Sequence, residues 1–339
     1  MQNSNYEQDY AIKELPQAIK DILESADLPW LNSLEFCTLY DPNPAERVWI
    51  KGDSGHIHQV VFYRVAHKMM LRIIDIVGFP NILDIDIQYL IQKHSAQLAV
   101  VNRLESSVKV DETWQPTKKN IYLHSYITIA DLTGSKDEYL RLLGKKKRER
   151  YPNYWRRLNR HFNDAIDIRC VEAQDIDVED IIQLEHLNKE RRAGKGKGVD
   201  SAKDIQDRQY QRLPVTKSCG FLVTLRHNET ILGGTLNYIS GNEAHLAVIA
   251  HDPAYEHFNI GTISLWKTIE CLIEKGVTKQ NFLWGRQAYK TQFLGVEYPW
   301  SVHVISPYRG LAVLWKNYIK GNEFYIRVVR FAKTKLRIN

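Results

Sequence analysis

Residues 220–284 carry the pattern that most restricts the fold. GFLVTLRHNETILGGTLNYISGNEAHLAVIAHD contains three apolar runs separated by HNE and SGNE, two tight turns of the hairpin type. An amphipathic helix, Gly261–Lys275, follows, and Gly276 ends it before the apolar run NFLWG. Because a helix lies between the third run and NFLWG, these two strands must pair in parallel. The sequence therefore predicts a mixed, mostly antiparallel sheet flanked by helices.

The first part of the chain predicts a second α/β lobe. We expect a helix over residues 12–25, a meander of short strands over residues 46–79, a helix at Leu83–His94, and strands over residues 97–104 and 120–130. A chain of 339 residues is long enough for two medium-sized domains, each with its own core. We therefore predict an α/β (α+β) protein with lobes at residues 1–135 and 136–310, followed by a basic C-terminal helix or tail at residues 311–339.

The start of the second lobe combines a helical pattern with a dense run of positive charge. From Arg141 to Arg160 there are nine Lys or Arg against one acid, Glu149. Pro152 predicts either two helices or a break near Tyr151. Apolar side chains recur at helical spacing, so one face can pack on the core while Arg156, Arg157 and Arg160 reach solvent. The predicted core face consists of Tyr151, Tyr154, Trp155, Leu158 and Phe162.

The basic run leaves two main interpretations open. It is either a solvated helix face or a surface that recognises an anionic substrate, such as a nucleotide-linked sugar or the phosphopantetheine of an acidic carrier protein. Arg156 and Arg157 are the candidate substrate contacts. No helix-turn-helix or zinc module surrounds the run, so DNA binding is not predicted. The net charge of +6 and the basic residues 326–339 favour polyanionic partners, among them a membrane surface in peripheral contact.

Several other classes of protein are not predicted. No apolar run reaches the roughly 18 residues of a membrane span, and the polar N-terminus does not resemble a signal peptide. No phosphate-binding GxxxxGK[ST] loop, HExxH or G-x-S-x-G motif is present, and the alternating His56 and His58 have no further candidate metal ligands. The cysteines lack CxxC spacing, so we expect reduced core thiols in a cytoplasmic protein, with neither zinc nor disulfides. These cysteines are Cys37, Cys170, Cys219 and Cys271.

A glycine-rich segment interrupts the second lobe. IDIRCVE predicts a short strand, and residues 178–192 predict an amphipathic helix. GKGKG at residues 194–198 then predicts a loop. This loop is either a plain flexible connection or a segment that covers a bound substrate.

Three stretches within residues 136–300 resemble the acyltransferase domain of the GNAT superfamily, in the branch of cellulose-biosynthesis (CelD-like) acyltransferases and Fem peptidyltransferases. They are KKKRERYPNYWRRLNRHF, HDPAYEHFNIGTISLWKTIE and WGRQAYKTQF. In that branch two GNAT-like lobes pack side by side, so the resemblance implies tandem GNAT-like lobes. Typical members have a Q/R-x-x-G-x-G/A phosphate loop, whereas His257–Thr262 reads HFNIGT and keeps only Gly261. The donor is therefore open between free CoA, carrier-protein and tRNA esters.

The start of the helix at Gly261 is the candidate phosphate site. Its unpaired backbone N–H groups and the positive end of the helix dipole suit a pyrophosphate. The resemblance implies a thioester co-substrate, acyl-CoA or an acyl carrier protein ester, with no permanently bound cofactor and no metal. Its thioester arm would lie where the two parallel strands separate. The implied donor-binding residues are Ala247, Val248, Ile249, Ile260, Gly261 and Thr262.

Acyl transfer from a thioester needs a base and a group that stabilises the oxyanion. His251 ends the last hairpin strand and is the candidate base; the alternative is a hydrogen-bonded loop histidine beside Asp252, which caps the turn before Pro253. Glu243 and His245 lie one hairpin away.

The family's Tyr-Lys pair matches Tyr289 and Lys290. The resemblance implies that Lys290 neutralises charge on a phosphate or an oxyanion and that Tyr289 protonates the leaving thiolate. A solvated lysine and a core tyrosine are the alternatives. Both residues follow the end of a parallel strand, where ligands of open α/β sheets bind. Arg286 in the same stretch is a candidate anion contact.

These residues favour a GNAT-type N- or O-acyltransferase. It would move an acyl group from a thioester to an amine or hydroxyl of a sugar or small metabolite, in polysaccharide or natural-product biosynthesis. Two alternatives stay open. One is a Fem-like transferase that uses aminoacyl-tRNA, and the other is a catalytically inactive GNAT-like protein that binds nucleic acid or anionic lipid.

Overall fold

A computed structural model of the chain describes residues 6–25, 45–53, 56–66, 70–78, 83–105, 120–132, 134–194 and 201–306. The chain divides into two compact units: unit 1 is Met1–Ser125 with Pro299–Asn339, and unit 2 is Tyr126–Tyr298. The predicted tail at residues 311–339 and most of the GKGKG loop lie outside the described residues. None of the helices within these ranges is long and apolar enough to cross a membrane.

Unit 1 is a mixed sheet with helices. Its strands are β1 (Tyr6–Ala11), β2 (Arg47–Asp53), β3 (His56–Ala66), β4 (Met70–Gly78), β5 (Leu98–Glu105) and β12 (Val296–Ile305), which are neighbours in that order. All pairs are antiparallel except β4 with β5, which are joined by helix α2 (Leu83–Lys93). The core includes Trp49, Tyr63, Leu71, Leu90 and Val101. The predicted meander and helix are thereby confirmed.

The predicted helix over residues 12–25 is only partly correct. A short 3-10 turn occupies Ile12–Glu14, and helix α1 (Gln17–Ser25) begins later. Pro16 explains the break because proline disfavours helical geometry in the residue before it. Leu15 accordingly has an extended backbone, with φ −64° and ψ 122°.

Unit 2 contains the segment from which the fold prediction started. After strand β6 (Asn120–Asp131) come helices α3 (Lys136–Leu142) and α4 (Lys145–His161), strand β7 (Ile166–Glu172), and helices α5 (Val178–Gly194) and α6 (Ala202–Cys219). The meander β8 (Gly220–His227), β9 (Thr230–Ser240) and β10 (Glu243–His251) follows. It leads into α7 (Ile260–Glu274), β11 (Lys279–Trp284) and the short α8 (Ala288–Gln292). The strand order is β6-β11-β10-β9-β8-β7, and β10 and β11 are parallel as predicted.

Helices cover both faces of the unit 2 sheet. Thr235 on β9 is hydrogen-bonded to Thr268 of α7 at 2.7 Å, whereas Tyr238 on the same strand contacts Thr216 of α6 at 3.2 Å. Residues three apart on a strand point to opposite faces. Helix α7, with α3 and α4 beside it, therefore packs on one face, and α5 and α6 pack on the other.

Helix α4 corrects the prediction of a break near Tyr151. Pro152 lies inside one continuous helix, and the chain breaks instead at Gly144, which has φ 86°. Pro152 cannot donate to the carbonyl of Arg148, but that residue is exposed and water can take the place of the missing donor. The predicted faces are confirmed, since Tyr151 and Leu158 are buried while the outward arginines are exposed.

Candidate functional site

The parallel strands β10 and β11 separate soon after they meet. Their register covers Glu243–His245 against Lys279–Asn281 and then stops, although both strands continue and are fully described. A bulge interrupts the pairing of β10 with β9 between Leu246 and Val248, at Ala247. The β10 edge beyond His245 therefore has no β11 partner. Its backbone groups can pair with an extended ligand, as a peptide pairs with a sheet edge.

Buried polar side chains hold the closed end of this gap. Gln280 donates to the carbonyl of Ala244 at 3.1 Å, and Asn281 donates to the carboxylate of Glu243 at 2.8 Å. Beside them, burial lowers the pKa of His245 to about 3, so its ring is neutral. These bonds tie β10 to β11 at the point where they begin to diverge.

The open end of β11 turns away with the help of Lys290. Leu283 and Gly285 both have positive φ, 55° and 85°. The Lys290 ammonium donates to the carbonyls of Leu283 and Trp284 at 2.9 and 2.7 Å. The residue is 2% exposed, and burial lowers its pKa to about 8. Lys290 thus holds the strand end, and its predicted contact with a phosphate or an oxyanion stays a prediction.

Helix α7 begins next to this gap. Asn259 adopts the left-handed conformation, with φ 62°, and its side chain does not cap the helix. The N–H groups of Thr262 and Ile263 both bond the Asn259 carbonyl. The N–H groups of Ile260 and Gly261 belong to the first turn, so they have no acceptor within the helix, and they lie at the positive end of the helix dipole. This is the geometry expected of an anion site.

His251 packs against the start of α7. Its side chain is 7% exposed, and a Cβ on Gly261 would lie 3.0 Å from its Nδ1 atom. The structure thus gives a further reason for glycine at position 261, since a larger residue would displace the His251 ring. Asp252 caps the following turn by accepting from the N–H of Ala254 at 2.8 Å, as the sequence predicted.

Tyr289 lies beside a half-buried cation that was not among the residues predicted from the sequence. Burial raises the pKa of Tyr289, and the nearby Arg191 of α5 lowers it. Burial lowers the pKa of Arg191 itself, and its Nε is buried without a hydrogen-bond partner among the described residues. A buried donor in this state is a group that an anionic ligand can satisfy. The signal for Arg191 in the sequence was its spacing. It lies seven residues after Leu184, so the two residues share one face of α5.

The remaining predicted contacts lie on the surface. Arg286 is exposed and forms an ion pair with Glu297 at 2.7 Å. Arg156 and Arg157 belong to α4, where a cavity of about 590 Å³ follows the helix. Its lining residues are Lys146, Glu149, Arg150, Asn153, Tyr154, Arg156, Arg157 and Arg160. Their side chains give α4 an exposed basic surface, and the contact with substrate stays a prediction.

A second cavity in unit 2, of about 190 Å³, opens beside the β10 bulge. It lies between α5, α6 and Ala247, with the buried Ile205 in its wall. The sequence predicts the helix that carries four of its five polar lining residues, but no helix over residues 202–219, where Arg208 lies. The spacing of polar residues on α5 was the available signal. The polar lining consists of Glu185, Asn188, Lys189, Arg192 and Arg208.

The comparisons with known proteins agree with this geometry. Residues 145–291 match the family model described as acetyltransferase (GNAT) domain. No curated protein matches the chain.

Among solved structures the chain resembles FemX, with 11% sequence identity, a TM-score of 0.65, and coverage of 91% of this chain and 100% of FemX. A tandem GNAT protein from the clavulanic acid biosynthesis pathway has 12% identity and a TM-score of 0.50, covering 89% of this chain and 98% of its own. A conserved protein of unknown function from Bacteroides thetaiotaomicron has 14% identity and a TM-score of 0.53, covering 76% and 84%.

These identities establish likeness of fold, and the fold they share is the predicted one, with mixed sheets flanked by helices in the tandem GNAT manner. The domain match covers α4 to α8, which includes the gap between β10 and β11 and the start of α7. This chain carries a GNAT acyltransferase domain at residues 145–291.

Proposed function

We propose that the GNAT domain transfers an acyl group from a thioester donor to the amine or hydroxyl of a sugar or another small metabolite, in polysaccharide or natural-product biosynthesis. The donor is acyl-CoA or an acyl carrier protein ester. The gap between β10 and β11 beside the uncapped start of α7 is the observation that carries this proposal. The gap offers backbone groups to the amides of a pantetheine arm, and the helix start offers N–H groups to its phosphates.

The proposed reaction takes place at the open end of the gap. The acceptor nitrogen or oxygen attacks the thioester carbonyl carbon, the new bond forms, and the C–S bond breaks as the thiolate leaves. Burial keeps Tyr289 protonated, so it is the proposed donor of the proton to the thiolate. The neighbouring Arg191 would stabilise negative charge there. His251 remains the candidate base, and Lys290 keeps the end of β11 in place.

Calorimetric titration with acetyl-CoA tests the donor site. We expect saturable binding that weakens by about 100-fold, or about 2.7 kcal/mol, in Gly261→Glu, because the new carboxylate lies at the phosphate position and its Cβ meets His251. Gln206→Glu adds the same charge on the exposed face of α6 and should bind like the wild type.

Thr262→Glu provides a second variant in case Gly261→Glu does not fold. The donor proposal fails if the wild type shows no saturable binding of acetyl-CoA or of an acyl carrier protein ester. It also fails if folded Gly261→Glu or Thr262→Glu binds as tightly as Gln206→Glu.

A second candidate is a Fem-like transferase that uses aminoacyl-tRNA. The exposed basic surface of α4 and the fold shared with FemX favour it. Binding through several phosphates should weaken by roughly a thousandfold or more between about 50 and 200 mM salt. Titration with tRNA at both salt concentrations, using wild type and Arg156→Gln/Arg157→Gln, separates this candidate from the first. Salt-independent binding, or equal binding by the variant, rules out α4 as a tRNA surface.

A further inference from the structure

The cavity beside the β10 bulge concentrates positive charge near the proposed thioester position. Glu185, Asn188, Lys189 and Arg192 lie three, four and seven residues apart on α5, so they share one helix face. Arg208 joins them from α6. Among the described residues neither Lys189 nor Arg192 forms an ion pair with a carboxylate. Lys189 and Arg192 repel one another at a cavity of about 190 Å³, and a bound anion would relieve that repulsion.

Glu185 is fixed by neutral partners. One carboxylate oxygen accepts from the amide of Asn188 at 3.1 Å, and the other accepts from the amide of the buried Gln209 at 3.1 Å. Asn188 is held in turn by Arg191, which donates to its side-chain oxygen at 3.0 Å. Amide partners orient the carboxylate without cancelling its charge, and each oxygen keeps further acceptor capacity. Glu185 is therefore a preoriented anion on the wall of a cationic cavity.

We propose that the acceptor is a small amine that also carries a phosphate or carboxylate group and that binds in this cavity. Arg192 and Arg208 bind its anionic group through their guanidinium forks, and Glu185 binds the ammonium end. This assignment rests on the proposed function, which places the donor in the gap, and the cavity meets the gap at Ala247. It makes these three residues determinants of acceptor specificity.

The proton balance follows from this arrangement. The acceptor ammonium gives one proton to the Glu185 carboxylate, and the neutral nitrogen forms a bond to the thioester carbonyl carbon. The C–S bond then breaks and Tyr289 protonates the leaving thiolate. The second proton that the nitrogen loses passes to the candidate base His251 and restores Tyr289. The products are an amide, a free thiol, and a proton that Glu185 releases to water.

Calorimetric titration with phosphoethanolamine, in the presence of saturating CoA, tests the proposal. CoA occupies the start of α7, so that the phosphate monoester reports on the cavity. We expect saturable binding of phosphoethanolamine, and binding of ethanolamine weaker by at least about tenfold, the change that one charge-assisted hydrogen bond gives. β-Alanine carries a carboxylate in place of the phosphate, and its affinity shows which anion the cavity prefers.

The variants separate the two ends of the acceptor. Arg192→Gln and Arg208→Gln should each weaken the binding of phosphoethanolamine by about tenfold. Lys203→Gln, on the exposed face of α6, should leave this binding unchanged. Glu185→Gln should weaken phosphoethanolamine but leave inorganic phosphate, which has no amine, unchanged. Equal affinities of phosphoethanolamine and ethanolamine, or equal effects of Arg192→Gln and Lys203→Gln, would overturn the proposal. Because acetyl-CoA binding is measured separately, this outcome leaves the donor proposal standing.

A different observation concerns two cysteines in unit 2. Cys170 on β7 and Cys271 on α7 lie where this strand faces the helix, and Cys271 is one helical turn before Lys275. Alternate residues of β7 support this register, since Ile168 packs on the core cluster beside α7 and Glu172 pairs with Lys275 at 2.5 Å. The prediction of core thiols is wrong for Cys170, which is exposed at the end strand of the unit 2 sheet.

We infer that Cys170 and Cys271 are a redox-active pair that a small-molecule disulfide oxidises to an intramolecular disulfide. The neighbouring Cys271 thiol lowers the pKa of Cys170, while the Cys170 thiol and burial raise the pKa of Cys271. Cys170 therefore supplies the attacking thiolate. It displaces one thiolate from oxidised glutathione, and Cys271 then displaces the second, leaving one protein disulfide and two glutathione thiols.

Incubation with oxidised glutathione followed by peptide mass spectrometry tests this inference. We expect a Cys170–Cys271 cross-linked peptide and the loss of two free thiols. Both are absent in Cys170→Ser and in Cys271→Ser and are retained in the control Cys219→Ser. A wild-type protein that keeps glutathione on Cys170 as a mixed disulfide, or that links Cys170 to another cysteine, would overturn it.

Discussion

Each unit contains a carboxylate held by several hydrogen bonds, and the two differ in what surrounds them. In unit 1 the side chain of Asp9 is 0% exposed, accepts from the Tyr63 hydroxyl at 2.8 Å, and pairs with Arg47 at 3.1 Å and Lys93 at 2.9 Å. In unit 2 the hydrogen-bond partners of Glu185 among the described residues are amides, and Lys189, Arg192 and Arg208 line the same cavity as Glu185. The charge of Asp9 is neutralised within the fold, whereas that of Glu185 faces an opening.

This difference separates a structural charge cluster from a binding site. Burial alone raises the pKa of Asp9, but hydrogen bonds from Arg47, Lys93 and Tyr63 lower it below its ordinary value. Such a carboxylate stabilises the fold while it is ionised and has no capacity left for a ligand. A carboxylate held by neutral donors keeps that capacity. Variants of the two residues should therefore differ in whether they affect stability or binding.

The largest effect on stability is expected for Asp9→Asn. It leaves Arg47 and Lys93 without their counter-charge, and we expect a loss of about 3 kcal/mol in the free energy of unfolding at pH 7. Urea denaturation measures it. Glu46→Gln removes a carboxylate from the exposed pair with Arg64 in the same unit, and it should cost less than about 1 kcal/mol. Equal losses in the two variants would show that the Asp9 cluster is no more than a surface ion pair.

His245 should give the next largest effect, and only in acid. Its pKa is about 3 in the folded protein, against about 6.5 unfolded, so between these values the unfolded chain binds more protons. Stability therefore falls as pH drops below about 6.5. When the pH is lowered from 7 to 5, the free energy of unfolding of His245→Asn should fall by about 2 kcal/mol less than that of the wild type, as measured by urea denaturation.

The exposed His161 provides the matched control for this acid effect. His161→Asn should lose as much stability between pH 7 and pH 5 as the wild type. If His245→Asn also behaves like the wild type, the ring is protonated in the folded state. The closed end of the gap is then hydrated rather than dry.

The sequence predicted the elements of unit 2 that follow from local pattern. The meander β8–β9–β10, helix α7 ending before Gly276, and the parallel β11 are all present, because hairpin turns, helical spacing and a crossover each leave a local signature. Pro152 was misleading because the energetic cost of a proline inside a helix depends on whether the carbonyl that loses its donor is exposed to water. The packing of α4 determines that exposure.

The cavity beside Ala247 could not be predicted in the same way. Glu185 and Arg208 are brought together by the packing of α5 on α6. Ala247 reaches them because β10 has a bulge there, and no residue type in the sequence predicts that bulge. The hydrogen bonds of Lys290 could not be predicted from the sequence either. The Tyr-Lys pair indicated a position near the end of the strand. The Lys290 ammonium donates to two carbonyls, and the positions of these carbonyls depend on the left-handed turn at Leu283.

Lys290 should give a smaller, alkaline effect. Its pKa is about 8 in the folded protein and about 10.4 unfolded, so the unfolded chain binds more protons between these values and stability rises with pH. From pH 7 to pH 9 the wild type should gain about 1 kcal/mol relative to Lys290→Met, which has no titrating group. Lys203→Met on the exposed face of α6 should follow the wild type. A Lys290→Met variant with the same pH profile as the wild type would mean that the ammonium is solvated.

Glu185→Gln should have the smallest effect on stability and tests the comparison most directly. It removes one hydrogen-bond acceptor from a half-buried group, so we expect a loss of less than about 1 kcal/mol in urea denaturation. Phosphoethanolamine binding should nevertheless weaken, which is the reverse of the pattern expected for Asp9→Asn. A loss near that of Asp9→Asn with unchanged binding would make Glu185 a second structural carboxylate. The cations around it would then be a solvated helix face, and the acceptor would have to bind elsewhere along the gap.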